Sequence, residues 1–247
     1  MNSDVHCANL IREANKIAVL TGAGISTKAG IPDFRGPEGL YVTKRYDPDT
    51  VFNIDCFYRD PKPFFDFARD FIKLESTLKP TFAHNFFADL EHSGKLIGVI
   101  TQNIDSLHQM AGNKKVLELH GSFLKSHCIN CGDACLWDEF KEKLFKENIP
   151  RCHCAGVIKP DIVFFGENVQ YLNEAQAMAE KADLFFVVGS SCSVYPAAML
   201  PQLAIGAIAI INLTKVELPI FNVALNVQED IDDFLTQVQE YLQKEVI

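Results

Sequence analysis

The chain has 247 residues, 48% of them hydrophobic, and a formal net charge of −9 at pH 7. This length admits one large domain, or a main domain with a smaller one inserted, and the composition can fill a sizeable core. The acidic balance disfavours nucleic acid as a direct ligand, because a phosphate backbone selects a basic surface, but it suits a basic peptide.

Residues 3–15 read as an opening helix, with Ser3 or Asp4 as N-cap and Leu10, Ile11 and Ala14 on one face. They lack the basic start and long apolar core of a signal peptide. Ile17 to Leu20 forms a short apolar strand, followed by the turn Gly22-Ala23-Gly24 and by Ser26 and Thr27, where a helix can start. A glycine turn between strand and helix aims backbone N–H groups and a helix dipole at an anion. It is only part of the dinucleotide fingerprint, since the third glycine would fall at Thr27, and an ordinary strand-to-helix turn explains it as well. The stiff continuation Pro32-Asp33-Phe34-Arg35 has no role in a simple phosphate turn.

Residues 36–55 show no steady period and read as an ordered loop or short helices. A helix opens at Asp60-Pro61-Lys62-Pro63, with Phe64, Phe65, Phe67, Ala68, Phe71 and Ile72 as its apolar face. Pro80 starts another, with Phe82, Phe86, Phe87 and Leu90 inward and Gly94 as its stop. Leu96 to Ile100 is a strand with Gln102, Asn103, Ile104 and Asp105 just past its carboxyl end. Asn103 and Asp105 can recognise a carboxamide and hold a water or leaving group, or can simply cap a helix over Ile104 to Met110. Val116 to Leu119 is a strand ending at His120-Gly121, which places His120 as a general base near neutral pH. His84 and His108 read as structural.

Cys128-x-x-Cys131 and Cys152-x-Cys154 are about twenty residues apart, a separation that closes a tetrahedral thiolate zinc site with no open position. The second pair is one residue short of the usual spacing, so Cys135, His127 or His153 are alternative ligands. Cys7, Cys56 and Cys192 read as small buried hydrophobes. Ile162 to Phe165 is extended, and 168–181 is helical. The strand Leu184 to Val188 ends at Gly189-Ser190-Ser191. After a helix at 196–205, the strand Ala207 to Ile211 ends at Asn212-Leu213, where Asn212 is a candidate ribose contact. Asn222 to Val227 and 230–245 supply a last strand and helix. Buried apolar strands alternating with helices predict an α/β fold with a parallel sheet covered on both faces, and the polar clusters just after the strands mark its ligand edge. The longest apolar run, Leu203 to Ile211, is too short to span a membrane. The expectation is a cytoplasmic protein without membrane contact, whose paired cysteines bind metal instead of forming disulfides.

Taken in order, GAGIS-x-x-x-GIPDFRG at 22–36, TQNID at 101–105, HG at 120–121, the cysteine pairs, KPDIVFFGE at 159–167, GSS at 189–191 and INL at 211–213 resemble the sirtuins, NAD-dependent protein lysine deacylases, in their compact bacterial and archaeal form. The resemblance implies a Rossmann-like domain (1–30, 76–121, 159–247) and a smaller inserted domain with a helical and a zinc module (31–75, 122–158), with NAD in the cleft between them. It implies NAD contacts at Ala23, Thr27, Phe34, Arg35, Gln102, His120, Ser190, Ser191, Asn212, Leu213 and, by a loose alignment, Asp230. Asn103, Ile104 and Asp105 would line the nicotinamide pocket, with Asn103 and His120 as catalytic groups. Val163, Phe164 and Phe165 would flank the acyl-lysine tunnel, and the peptide would add as a strand beside 164–167 and about 192–195. In the implied reaction NAD is a consumed co-substrate: the acyl-lysine oxygen attacks the nicotinamide ribose and His120 deprotonates a ribose hydroxyl. Phe34 would shield the reacting centre from water. Family members that prefer acidic acyl groups carry a Tyr-x-x-Arg pair in the first insertion helix. Here Ala68 and Phe71 fall there, which implies acetyl or another uncharged acyl group. The expected partners are acylated-lysine proteins, a monomer is favoured, and mono-ADP-ribosylation of protein through the same NAD site is the alternative activity.

Overall fold

The computed structural model describes residues 2–31 and 46–244, which form two compact units. The first holds 2–31, 79–119 and 171–244, and the second 46–78 and 120–170. In chain order the strands are β1 (Ile17–Thr21), β2 (Leu96–Thr101), β3 (Val116–Glu118), β4 (Gly121–Cys128), β5 (Ala134–Leu136), β6 (Ile158–Ile162), β7 (Leu184–Val188), β8 (Ala207–Asn212) and β9 (Val223–Gln228).

The first unit is built on a six-stranded sheet in the order β3-β2-β1-β7-β8-β9, every neighbouring pair parallel. All residues of β1 and β7 are buried, as continuous apolar runs must be when helices cover both faces. On one face Val19, Val99, Phe186 and Ile211 pack with Cys7, Phe87 and Phe234, which come from the helices Ser3–Glu13, Phe82–His92 and Ile231–Lys244. On the other, Leu20, Ile100, Val187 and Ile210 pack with Ala175, Met178 and Leu200 from Leu172–Lys181 and Leu200–Leu203. The expected α/β fold with a doubly covered parallel sheet is therefore present.

Local differences have local causes. The stretch after β1 is a 3-10 helix, Ala23–Ala29, closed by Gly30 in the left-handed region at φ 98°. The helix expected from 168 starts at Leu172, after Tyr171 at φ 53°. The one expected over 196–205 is divided into a 3-10 turn, Ala197–Met199, and the short Leu200–Leu203. No helix of the described residues is long and apolar enough to cross a membrane.

The second unit has an aromatic core in which Phe57, Phe64, Phe65 and Phe164 are fully buried. The residues between the cysteine pairs, expected only as a metal segment, also carry structure: an antiparallel sheet β5-β4-β6 and the helix Trp137–Lys146. Phe140 and Leu144 bury one helix face, and Glu142 pairs with Lys146 one turn on. Arg69, on the helix Lys62–Glu75, donates to the carbonyls of Leu144 (2.8 Å) and Glu147 (2.7 Å), satisfying the end of Trp137–Lys146 across the unit.

Two histidines are buried together in the first unit, their ring centroids 4.7 Å apart. His84 Nδ1 accepts from the Thr81 N–H (3.2 Å) at the start of Phe82–His92, and His108 Nε2 lies 3.0 Å from Thr21 Oγ1. Burial holds both neutral: the pKa of His84 falls to about 2, helped by the neighbouring His108, and that of His108 to about 4. Each imidazole takes a proton more readily in the unfolded chain, near 6.5, than in the fold. Its contribution to stability is complete above pH 6.5 and is lost as the pH falls toward 4 for His108 and toward 2 for His84. Urea unfolding at pH 7 and pH 5 should show a loss of about 3 kcal/mol, and His84→Gln should flatten that slope. Equal stability at the two pH values would contradict the burial of two neutral imidazoles.

Candidate functional site

In the order β3-β2-β1-β7-β8-β9 the chain leaves β1 toward β2 on one side and meets β7 on the other, so the sheet reverses direction between β1 and β7. Such a switch point opens a crevice at the carboxyl ends of the strands. Gly22 N–H donates to the Val188 carbonyl (3.0 Å) and Gly24 N–H to the Gly189 carbonyl (2.9 Å). A Cβ on Gly24 would lie 2.8 Å from Gly189 Cα, and one on Gly189, at φ 62°, would lie 2.4 Å from the Ile25 nitrogen. The glycines thus let two backbones cross, and two of the amides expected to face an anion are bonded to β7 and its turn. Ala23 is half-buried, and exposed Thr27 donates its hydroxyl back to the Gly24 carbonyl (3.1 Å).

Beyond this crossing lies a buried polar cluster. Ser26 Oγ donates to Asp105 Oδ2 at 2.7 Å and accepts from Asn103 Nδ2 at 3.1 Å. Asn103 also donates its side chain to the Gly22 carbonyl (3.3 Å) and its N–H to Thr101 Oγ1 (3.1 Å). The other Asp105 oxygen accepts the Leu107 N–H at 3.0 Å, so this carboxylate caps the helix Leu107–Ala111 while also facing Ser26. Burial pushes the Asp105 pKa up, with the Leu107 N–H and Ser26 hydroxyl opposing it. Gln102 Nε2 donates to Ser190 Oγ at 2.9 Å, joining the end of β2 to the end of β7. Ile104 is half-buried in the same turn. Ser26, which bridges Asn103 and Asp105, was legible only as the start of a helix.

The remaining candidates of this unit are more peripheral. Ser191 pairs with Ser193 (2.7 Å). Asn212, at the end of β8, donates to the Thr214 carbonyl (2.9 Å), and Leu213 is 59% exposed. Asp230 pairs with Lys28 (2.6 Å) and accepts the Asp233 N–H (3.0 Å) at the start of Ile231–Lys244.

In the second unit His120 is held by its main chain: its carbonyl accepts the Val163 N–H at 2.9 Å. Gly121 follows at φ 67°, and a Cβ there would lie 1.8 Å from the Asp161 carbonyl oxygen. Val163 is half-buried and Phe165 is 44% exposed. Phe164 is buried, its ring 4.9 Å from Phe64 and 5.3 Å from Phe57. Phe34 and Arg35 lie outside the described residues.

The sulfurs of Cys128, Cys131, Cys152 and Cys154 lie within 4.8 Å of one another, with Cys128–Cys154 at 3.4 Å and Cys131–Cys152 at 3.7 Å. A zinc tetrathiolate with metal–sulfur bonds of about 2.3 Å has edges of about 3.8 Å, so the four fit a structural zinc. Backbone N–H groups favour the thiolate: those of Cys131 and Asn130 help lower the Cys128 pKa to about 6. Gly156 leaves room for that sulfur, since a Cβ there would approach it to 2.6 Å. Cys135 is buried apart from the group, His127 pairs with Asp161 (2.6 Å), and His153 reaches only a second set with Cys131, Asp133 and Cys152.

Comparison with known proteins agrees with this architecture. The model of the Sir2 family matches residues 22–196. An NAD-dependent protein deacetylase of Sulfurisphaera tokodaii is 42% identical, over 97% of this chain and 96% of its own length. One from Thermotoga maritima is 44% identical over 94% and 95%. A solved complex of Sir2 with a p53 peptide and NAD+ superposes with a TM-score of 0.85 at 41% identity, covering 94% of this chain and 95% of that one. A Sir2 bound to acetylated peptide gives 0.84 at 39%, covering 94% and 95%. With a family model across most of its length and relatives above 40% identity end to end, the chain belongs to the Sir2 family.

Proposed function

We propose that this chain is an NAD-dependent protein lysine deacetylase, which transfers the acyl group of acyl-lysine to ADP-ribose and releases nicotinamide. The observation that carries this reading is the Asn103–Ser26–Asp105 cluster at the sheet's switch point, in which half-buried Asn103 and buried Asp105 hold an amide and a carboxylate ready for a carboxamide. NAD supplies a nicotinamide–ribose bond whose cleavage activates the ribose for attack. Ala23, Thr27, Gln102, Ser190, Ser191, Asn212 and Leu213 contact the dinucleotide in this reading, with Phe34 and Arg35 from the same motif. Ile104 and Asp105 line the nicotinamide pocket and Asn103 orients the water. His120 takes a proton from a ribose hydroxyl. Val163 and Phe165 receive the acyl-lysine, whereas Phe164 supports them from the core. Ala68 is buried and Phe71 stacks on Phe67 and Phe123, so neither position offers a charge to an acidic acyl group; this supports acetyl-lysine.

The net charge of −9 favours basic substrate peptides over nucleic acid. None of the eight cysteines is in a disulfide, which suits a reducing cytoplasm, where the protein acts as a monomer.

Incubation of the purified chain with NAD and an acetylated peptide, followed by mass spectrometry, should yield free lysine and acetyl-ADP-ribose. His120→Ala should lower deacetylation by about 10²–10⁴-fold while nicotinamide release persists. ADP-ribose attached to protein would favour the transferase reading, and unimpaired deacetylation in the variant would remove His120 from its role.

Cys128, Cys131, Cys152 and Cys154 hold a structural zinc in this scheme, and four thiolates leave it no position for substrate. Metal analysis should give about one zinc per chain, and chelation should melt the second unit before the first. A metal-free, fully active protein would refute the assignment.

A further inference from the structure

Lys159 has its side chain only 4% exposed. Its ammonium lies 2.9 Å from Glu167 Oε2, donates to the Ile162 carbonyl at 2.8 Å and sits 4.3 Å from the centroid of the Phe164 ring. The same Glu167 oxygen accepts the Phe164 N–H at 2.8 Å. The peptide groups on both sides of Val163 are therefore held, the Ile162 carbonyl by the lysine and the Phe164 N–H by the glutamate. Val163 in turn donates its own N–H to the His120 carbonyl at 2.9 Å. One charge pair, buried at the lysine and 31% exposed at the glutamate, thus fixes in two hydrogen-bond steps both the residue assigned to acyl-lysine and the main chain of the residue assigned as base.

Burial is unfavourable for the lysine, whose pKa is lowered by desolvation and only partly restored by Glu167. Only the lysine is out of water, and an ion pair with one solvent-accessible member adds little net stability to offset the desolvation of the other. Stability alone therefore does not account for a lysine in this aromatic core. We propose that Lys159 and Glu167 are positioning residues for the deacetylation, setting the register of Val163 against His120 so that acyl-lysine and base keep one fixed relation. This rests on the deacetylase reading above.

The test compares wild type with Lys159→Met, Glu167→Leu, the double variant and Lys159→Arg. Deacetylation is followed with acetylated peptide and NAD varied separately, alongside melting temperature and zinc content. Misplacement of the strand should raise the peptide KM about tenfold and lower kcat about tenfold, with the KM for NAD within about twofold of wild type. The double variant should regain the melting temperature that the single ones lose, but not the peptide KM. Lys159→Arg, which keeps the charge, should stay within about threefold of wild type in both constants. A folded, zinc-loaded double variant with wild-type peptide KM and kcat would show the pair to be structural and overturn the inference. Where the charge-free variants do not fold, Glu167→Gln decides instead: it retains a carbonyl oxygen for the Phe164 N–H, and a wild-type peptide KM there would likewise overturn it. Failure of the wild-type protein itself to deacetylate would remove the underlying reading, whatever the variants do.

Discussion

The first unit depends on the close crossing of two backbones at the ends of β1 and β7. The parallel pair runs in register from Ile17 opposite Leu184 to Thr21 opposite Val188. It continues past the strand ends through the Gly22 and Gly24 amides. A side chain at Gly24 or Gly189 would force the two turns apart by roughly the length of a carbon–carbon bond. Everything assigned to the switch point is placed relative to this crossing: Ser26 one turn later on the 3-10 helix, Ser190 directly after Gly189, and Gln102 joined to Ser190 across the strand ends. The crossing is also the sheet's point of reversal, so the fold concentrates its ligand edge where it can least accommodate bulk.

Around the crossing the polar groups satisfy one another. Asp105 sits in a buried environment that disfavours its charge, yet both oxygens have donors, one from the backbone and one from Ser26. Asn103 is tied at both its side chain and its N–H. Behind them Thr101 and Thr21 share a 2.9 Å hydrogen bond, and Thr21 meets the neutral His108. The hydrogen bonds among Ser26, Asn103, Asp105, Thr101 and Thr21 leave this part of the network few alternative arrangements.

The second unit uses different means to the same end. Its core is a set of phenylalanine rings in edge-on, tilted and stacked pairs, which pack densely but do little to fix the register of the segment that leaves them. Register there comes from directional bonds: Val163 to His120, Phe165 to Phe52 and Ile54, and Glu167 to Phe164. The amides of Val163, Phe164, Phe165 and Glu167 are all engaged in this way. The four cysteines complete the unit by joining the β4–β5 loop and the loop that enters β6 at one end of the sheet β5-β4-β6.

The sequence by itself determined the central strands of the large sheet, because buried parallel strands such as β1 and β7 must be unbroken apolar runs, whereas the edge strand β9 alternates buried and exposed residues. It also determined which polar segments follow those strands, and it singled out the four cysteines, since thiolates at short spacing have few other uses in a reducing environment. Helices shorter than two turns and the 3-10 segment after β1 were not legible, because their limits are set by contacts with other strands and not by their own periodicity. The helix Trp137–Lys146 did carry a signal in Phe140, Leu144 and its charge pairs, which the cysteines around it obscured. Only the tertiary structure decided which atoms meet. Ser26 lies 79 positions from Asp105 in sequence and touches it, a relation no local pattern encodes. The same holds for Phe164, whose neighbours Val163 and Phe165 share its composition but not its direction. Local pattern reports how often a residue type is buried; the pleat of the chain and the partners it meets report which way that residue points.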